Sequence, residues 1–202
     1  MSTLRVNTIQ NETGTTAQTI DNSGNTALSG NLKVNTIQHT GGTTGLTIDS
    51  NGYVVMSARP AFQATGNAGG WVTISNSQYN VFEFDNVVLN QGSHYSSTND
   101  RFTAPVTGLY SFHMSLYGRL NAGQGDNTNY WGATFLKNGS NAMQYNSIMG
   151  YQNAGDYDSS FSQNVILSLS ATDYIQVQAR SWGTANGEIF SNNSHFSGYF
   201  IG

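Results

Sequence analysis

The chain has 202 residues and a net charge of −4; only 9% of its residues are charged, whereas 23 are glycine. Its 7 Lys and Arg residues are too few to build a face that neutralises phosphates, which argues against nucleic acid as a partner. The absence of cysteine excludes disulfides and thiolate zinc sites. A surface built mainly from Asn, Ser and Thr is typical of extracellular or particle-borne β-structure.

The N-terminal stretch MSTLRVNTIQ has neither the basic segment nor the apolar segment of a secretion signal. No apolar run approaches the ~20 residues that span a bilayer, so we expect no membrane insertion. A protein made in the cytoplasm with an exterior type of surface fits a virus particle that lysis releases. We therefore expect the virion, as a tail or other external appendage, to be its location.

The first quarter of the chain contains an internal repeat. Residues 4–29 return at 32–57 with an offset of 28, and fourteen of the 26 positions are identical. Each copy predicts one strand, followed by a second strand that enters an Asn-Gly turn at DNSGN or DSNG. The predicted first strands are marked by Leu4, Val6 and Thr8, and by Leu32, Val34 and Thr36.

One copy of the repeat has too few apolar residues to bury a core, and repeat structures usually need at least three stacked copies. Three chains side by side would supply the missing copies. We therefore predict that residues 1–58 form the β-rich stalk of a homotrimeric fibre and attach it to other virion proteins. The alternative interpretation is a flexible low-complexity leader. The predicted stalk core consists of Val6, Ile9, Ile20, Val34, Ile37 and Ile48.

Residues 59–202 form a second region, in which apolar residues recur at every second position and helical spacing is absent. Many short strands with frequent turns predict an antiparallel sandwich or barrel. The dipeptides Asn138-Gly139 and Asn186-Gly187 predict tight hairpins. The alternating runs are Val81, Phe82 and Phe84; Tyr110 to Leu116; Trp131, Ala133 and Phe135; Val165, Leu167 and Leu169; Ile175, Val177 and Ala179; and Phe196, Gly198 and Phe200.

Several motifs follow one another in this region: FDNVVLNQGSHYSSTNDRFTAPVTGLYSF, FLKNG, VILSLSATDYIQVQ and SHFSGYFIG. In this order they resemble the globular head domain of complement component one, subcomponent q, which is related to the tumour necrosis factor fold. The resemblance covers residues 60–202 and implies a ten-stranded jelly roll that trimerises through its sheets. The sequence departs from it at Ala171-Thr172-Asp173 and in the long loop 119–130. The repeats resemble those of tail-fibre proteins of marine phages.

The loops of the second region combine aromatic side chains with Asn, Gln and Asp. Flat rings edged by amides suit sugar rings, and such loops are typical of adaptable recognition surfaces. We predict a receptor-binding site there for a host cell-surface glycan or protein. The alternative places Trp131 and Trp182 in the core or in a subunit interface. The predicted binding residues are Tyr130, Tyr151, Tyr157 and Trp182.

Asp156 and Asp158 form the closest pair of carboxylates and could share a calcium ion with backbone carbonyls. The alternatives are a solvated loop and, with less support, a glycosidase pair. The 4 histidines, among them His94 and His113, lack the spacing of metal ligands, and no nucleophile elbow or dinucleotide fingerprint is present. We therefore predict no enzyme and no cofactor, calcium being the one ion that the sequence allows.

Together these features favour a homotrimeric tail or collar fibre, or spike, of a bacteriophage, with a C-terminal tip that recognises a host receptor. The alternative is a secreted or surface adhesin of a bacterium that carries the same head. A polysaccharide-degrading spike is disfavoured, because no acid and base pair stands out.

Overall fold

The computed structural model describes residues 6–10, 12–29, 31–67, 69–120, 129–141, 150–151 and 158–202. Contacts divide the chain into two compact units, Met1–Met56 and Ser57–Gly202. A search of the described residues for a helix able to cross a bilayer finds none.

The first unit consists of two three-stranded antiparallel sheets, one for each copy of the repeat. Equivalent strands start 28 residues apart, as Thr8 with Thr36 and Thr16 with Thr44 show. The two sheets are β1 (Thr8–Gln10), β2 (Thr16–Ile20) and β3 (Thr26–Leu28), and β4 (Thr36–Gln38), β5 (Thr44–Ile48) and β6 (Val54–Val55).

The predicted turns after β2 and β5 are confirmed. In each copy an aspartate, Asp21 or Asp49, accepts a backbone N–H bond of 2.8 Å from the residue four positions later. Gly24 and Gly52 then adopt φ of +83° and +84°, which glycine reaches without steric cost. The predicted first strands begin later than expected, at Thr8 and Thr36. In the second copy the strand starts at Thr36 because β5 pairs only with Thr36–Gln38. In the first copy, Leu4 lies outside the described residues.

No described residue of the first unit is buried. Of the predicted stalk core, Val6, Ile9 and Ile37 expose 37%, 46% and 51% of their surface. Ile20, Val34 and Ile48 are half-buried. That these side chains pack against further copies of the chain stays a prediction.

The second unit is a jelly-roll sandwich of two seven-stranded sheets in the described residues, which confirms the predicted all-β class. Sheet one has the order β10-β7-β20-β13-β19-β8, with β17 on the other side of β13. Sheet two has the order β11-β12-β18-β14-β15, with β9 on β18 and β16 on β14. The strands are β7 (Ala61–Thr65), β8 (Trp71–Ile74), β9 (Asn80–Val81), β10 (Asn86–Gln91), β11 (Tyr95–Ser96), β12 (Arg101–Thr103), β13 (Gly108–Leu120), β14 (Tyr130–Lys137), β15 (Ser140–Asn141), β16 (Gly150–Tyr151), β17 (Ser159–Leu169), β18 (Tyr174–Trp182), β19 (Gly187–Phe190) and β20 (His195–Phe200), with a 3-10 turn at Ser191–Asn193.

The predicted alternation along β13 is confirmed, because its even-numbered residues from Tyr110 to Leu116 are completely buried between the sheets. They join a core rich in aromatic rings from both sheets. Phe62 lies at its centre, 4.8 Å from Phe196 and 5.1 Å from Phe102 between ring centroids. Close ring pairs of this kind add about 0.5–1.5 kcal/mol each beyond the area they bury.

The corner before β13 requires particular residues at two of its positions. The Tyr110 hydroxyl donates a 2.7 Å bond to the Val106 carbonyl, which fixes the turn. Gly108 has no room for a side chain, because a Cβ there would lie 2.6 Å from the Phe200 ring. The hairpin predicted at Asn138-Gly139 is confirmed, with φ of 52° and 76° between β14 and β15.

The hairpin predicted at Asn186-Gly187 is wrong. The strands on either side, β18 and β19, belong to different sheets, so the chain crosses the sandwich there. Gly187 is required for another reason: a Cβ at this position would lie 2.9 Å from the Ile74 side chain on β8. Close packing between two strands, and not turn geometry, selects this glycine.

The segment 79–85 also crosses from one sheet to the other, from β9 to β10. The predicted run at Val81, Phe82 and Phe84 is therefore a strand only at Asn80–Val81, although both phenylalanines are buried. Strand β10 forms one edge of sheet one, and its register shifts between Val87 and Leu89 in a β-bulge.

Candidate recognition site

Two of the predicted binding residues lie side by side. Strands β14 and β18 pair so that Tyr130 stands opposite Trp182, on the outer face of sheet two. Their rings are stacked, with centroids 5.0 Å apart and planes 15° apart. Both side chains are half-buried. Each ring covers one face of the other, so the outer faces and the edges of the two rings are what a sugar could contact.

Tyr79 and Arg180 adjoin this pair, although no local sequence pattern predicted either residue. Tyr79 contacts Trp182 edge to face at 5.9 Å between centroids. The Arg180 guanidinium lies 5.1 Å from the Tyr79 ring and 5.4 Å from the Trp182 ring. A cation at these distances is attracted to the ring faces. We call Tyr79, Tyr130, Arg180 and Trp182 the aromatic platform.

The other predicted binding residues are only partly described. The backbone of Tyr151 pairs with that of Tyr130, which places β16 beside the aromatic platform. Tyr157 lies outside the described residues. Trp131 is completely buried in the core, as one of the alternatives expected.

Of the calcium candidates, Asp156 lies outside the described residues and Asp158 is exposed. The Asp158 carboxylate accepts a bond from the Tyr117 hydroxyl, which raises the pKa of that tyrosine. Groups of three or more His, Asp or Glu side chains that could hold a metal ion are absent from the part of the chain that the structure describes.

A second aromatic cluster lies on the outer face of sheet one, and nothing in the local sequence pattern predicted it. Trp71 on β8 contacts Phe190 at 5.1 Å and Tyr117 at 5.8 Å between centroids. Arg119 covers the Trp71 ring at 3.9 Å and forms a 2.9 Å ion pair with Glu188. The Arg119 guanidinium therefore covers a ring face of this cluster, as the Arg180 guanidinium does at the aromatic platform.

Two histidines that are far apart in the sequence meet on the same face of sheet one. His195 Nε2 lies 3.2 Å from His113 Nδ1, and His113 Nε2 lies 2.9 Å from the Ser162 hydroxyl. Burial, followed by the neighbouring His113, lowers the pKa of His195. Only the register between β13 and β20 brings the two together, so sequence spacing could not reveal the pair.

A cavity of about 440 Å³ lies between β8 and the crossing segment 79–85. We call it the acid-lined cavity, because Glu83 and Asp85 line it together with apolar side chains. Asp100 accepts a 2.9 Å bond from the backbone N–H of Phe84, which lies in the same crossing segment as Glu83 and Asp85. Burial raises the pKa of Asp100 to about 6, and the charges of Asp85 and Glu83 add to this effect. Tyr79 belongs both to the cavity wall and to the aromatic platform.

Comparison with known proteins gives similar structures and a family. The globular domain of the zebrafish complement 1qA protein is 14% identical, with a TM-score of 0.49 over 71% of this chain and 98% of that one. Eiger TNF from S. frugiperda is 14% identical, with a TM-score of 0.49 over 72% of this chain and 94% of that one. Murine APRIL is 13% identical, with a TM-score of 0.47 over 71% of this chain and 99% of that one. The family model of the C1q domain matches residues 61–201. By that match the chain belongs to the C1q-domain family.

Proposed function

We propose that this chain is a homotrimeric fibre or spike protein of a bacteriophage, whose C1q domain binds a glycan on the host surface. The observation that carries the proposal is the first unit, a repeated β-structure in which no described residue is buried. Its resemblance to phage tail-fibre repeats and the low charge of the whole chain support the same assignment.

Self-association explains how the first unit stays ordered. Sheets of three short strands are marginal in water unless they bury a hydrophobic face. Ile9 and Ile37 occupy equivalent positions in the two copies and are about half exposed. Three chains around a common axis would remove these side chains from water, at about 25 cal/mol per Å² of apolar surface. Trimerisation of the C1q domain would hold the three stalks together.

Glycan binding rests on the aromatic platform. Stacked and half-buried rings bind sugars weakly, so one site alone gives little affinity. Three platforms on one tip, and several fibres on one particle, would raise the overall avidity by factors of about 10² to 10⁴. Binding rather than catalysis is the function proposed for the tip. Release of oligosaccharide from host capsule by the purified protein would contradict that assignment.

Size-exclusion chromatography with light scattering tests the assembly. The expected result is a particle with three copies of the 21.8 kDa chain. A monodisperse monomer at micromolar concentration would contradict the fibre proposal.

A bacterial adhesin is the second candidate, since the same repeat and the same head would serve it. Antibody labelling in the electron microscope separates the two. Gold on purified phage tails supports the fibre, whereas gold on the envelope of uninfected cells supports the adhesin.

A further inference from the structure

We propose that the acid-lined cavity binds a saccharide unit that carries a protonated amino group. This deepens the proposed function and rests on it, because the saccharide would belong to the host glycan.

The size and walls of the cavity fit a sugar. Its volume of about 440 Å³ lies within the range of about 300–1,000 Å³ typical of pockets for small ligands. Val72 and Ile74 from β8, with Phe82 and Tyr79 from the opposite side, supply apolar walls. Strand β8 ends sheet one, and Thr73 at this edge also lines the cavity. Peptide groups along an edge strand can bond sugar hydroxyls.

The charge of the cavity selects the amino group. Glu83 and Asp85 alternate along the crossing segment with the buried Phe82 and Phe84, so both carboxylates point away from the core. Within the described ranges neither has an ion-pair partner. Burial raises the pKa of Asp100, and the charges of Asp85 and Glu83 raise it further, so the three carboxyl groups lie close together. A cation in the cavity would offset their negative charge.

Tyr79 joins the cavity to the aromatic platform. Its ring lines the cavity and meets Trp182, which in turn stacks on Tyr130. An oligosaccharide could therefore place one ring on the platform and the next, charged ring in the cavity. The arrangement predicts that a loss of Tyr79 affects any bound sugar, whereas a loss of Glu83 or Asp85 affects only a charged one.

Isothermal titration calorimetry of the full chain tests this, with a β-1,4-linked glucosamine disaccharide and its N-acetylated counterpart as probes. At mildly acid pH we expect the unacetylated form to bind about tenfold more tightly, since each of the two exposed carboxylates would strengthen the binding of a cation by a few-fold. Glu83→Gln and Asp85→Asn should each weaken its binding about three- to tenfold and leave the acetylated form unchanged. Tyr79→Ala should weaken both forms. Glu12→Gln, the same change at an exposed carboxylate of the first unit, is the matched control and should alter neither.

A second measurement separates direct binding of the amino group from a purely structural role of Glu83 and Asp85. Carboxyl NMR should show that the unacetylated disaccharide lowers the pKa of Asp100 from about 6, because a nearby cation favours the ionised form. The acetylated disaccharide should leave that pKa where it is.

The proposal is overturned if neither disaccharide binds, if both bind equally, or if the preference for the amine survives Glu83→Gln and Asp85→Asn. Binding of the trimer to host cells is measured separately. Cell binding that is lost in Trp182→Ala and kept in the two cavity variants would refute the cavity and leave the proposed function standing. Absence of cell binding in the unaltered protein would refute the proposed function itself.

Discussion

The two units of this chain solve the problem of stability in opposite ways. The C1q domain closes two sheets over a core in which Phe62, Phe112 and Phe196 are excluded from water. The repeat unit has turns fixed by Asp21 and Asp49, yet every described residue remains at least partly exposed. Turn chemistry gives the repeat its shape, whereas burial gives the C1q domain its stability. The repeat therefore has local order in its strands and turns, and its described residues form no buried core.

The largest effect should come from the core of the C1q domain. Phe112→Ala removes a completely buried ring, and we expect it to lower the free energy of unfolding of this domain by about 3–5 kcal/mol. Denaturant unfolding followed by tryptophan fluorescence measures the loss. Ser111→Ala, on the outward side of the same strand, is the control and should stay within about 0.5 kcal/mol. A small loss in Phe112→Ala would mean that the core does not hold the domain together.

The second largest effect should be confined to the repeat unit. Ile37→Asp places one carboxylate per chain at the predicted stalk axis, where buried like charges are strongly unfavourable. We expect circular dichroism to show loss of strand content in the repeat, while the unfolding transition of the C1q domain stays unchanged. Ile37→Val keeps the apolar surface and should assemble normally. Undiminished strand content of the repeat in the aspartate variant would contradict the stalk.

A smaller effect concerns Asp100. Its pKa is raised from 3.8 to about 6, so between these values the folded state holds a proton that the unfolded state has released. The contribution of Asp100 to the free energy of unfolding is therefore fully present below about pH 4 and is lost as the pH rises through 6. Asp100→Asn keeps an acceptor for the Phe84 N–H and should stabilise the protein at neutral pH by about 1 kcal/mol, after allowance for its partial exposure. Melting curves at several pH values measure the gain, which should disappear in acid.

The smallest effect should come from His195. Burial and the neighbouring His113 hold the pKa of this histidine below 6.5. The folded state then binds fewer protons than the unfolded state, so the stability from this group is complete above pH 6.5 and is lost as the pH falls. The neighbouring positions Thr65, Ser115 and Ser162 carry no charge to compensate the imidazolium. Relative to His195→Gln, the unaltered protein should lose stability on acidification, which thermal melting at several pH values measures. Equal pH profiles for both proteins would rule out the effect.

The sequence predicted those features that depend on neighbouring residues. Alternation along β13 gave its buried face, and the Asn138-Gly139 dipeptide gave a hairpin, because both follow from local backbone geometry. The repeat predicted two strands in each copy and the turns at DNSGN and DSNG, whereas the third strand of each sheet was not predicted. At Asn186-Gly187 the same reasoning failed, since a glycine that tight packing requires looks identical in sequence to one that a turn requires.

The candidate site shows the same limit. Aromatic loop residues pointed to Tyr130 and Trp182, which do stack. Tyr79 was missed because it reaches Trp182 from more than 100 positions away through the pairing of β9 with β18. The acid-lined cavity was missed for a similar reason: it exists only where the segment 79–85 passes β8. Both the contact of Tyr79 with Trp182 and the cavity depend on how distant segments of the chain come together, which a local sequence pattern does not reveal.

The bulge in β10 bears on how copies of this protein can be crowded together. A regular edge strand with exposed Val87, Val88 and Leu89 would invite the same strand of a neighbouring molecule to add onto it. The extra residue interrupts the ladder and twists the strand away, so continuous pairing from one head to the next cannot propagate. The apolar side chains of this edge are thereby less able to join a continuous sheet with those of a neighbouring molecule.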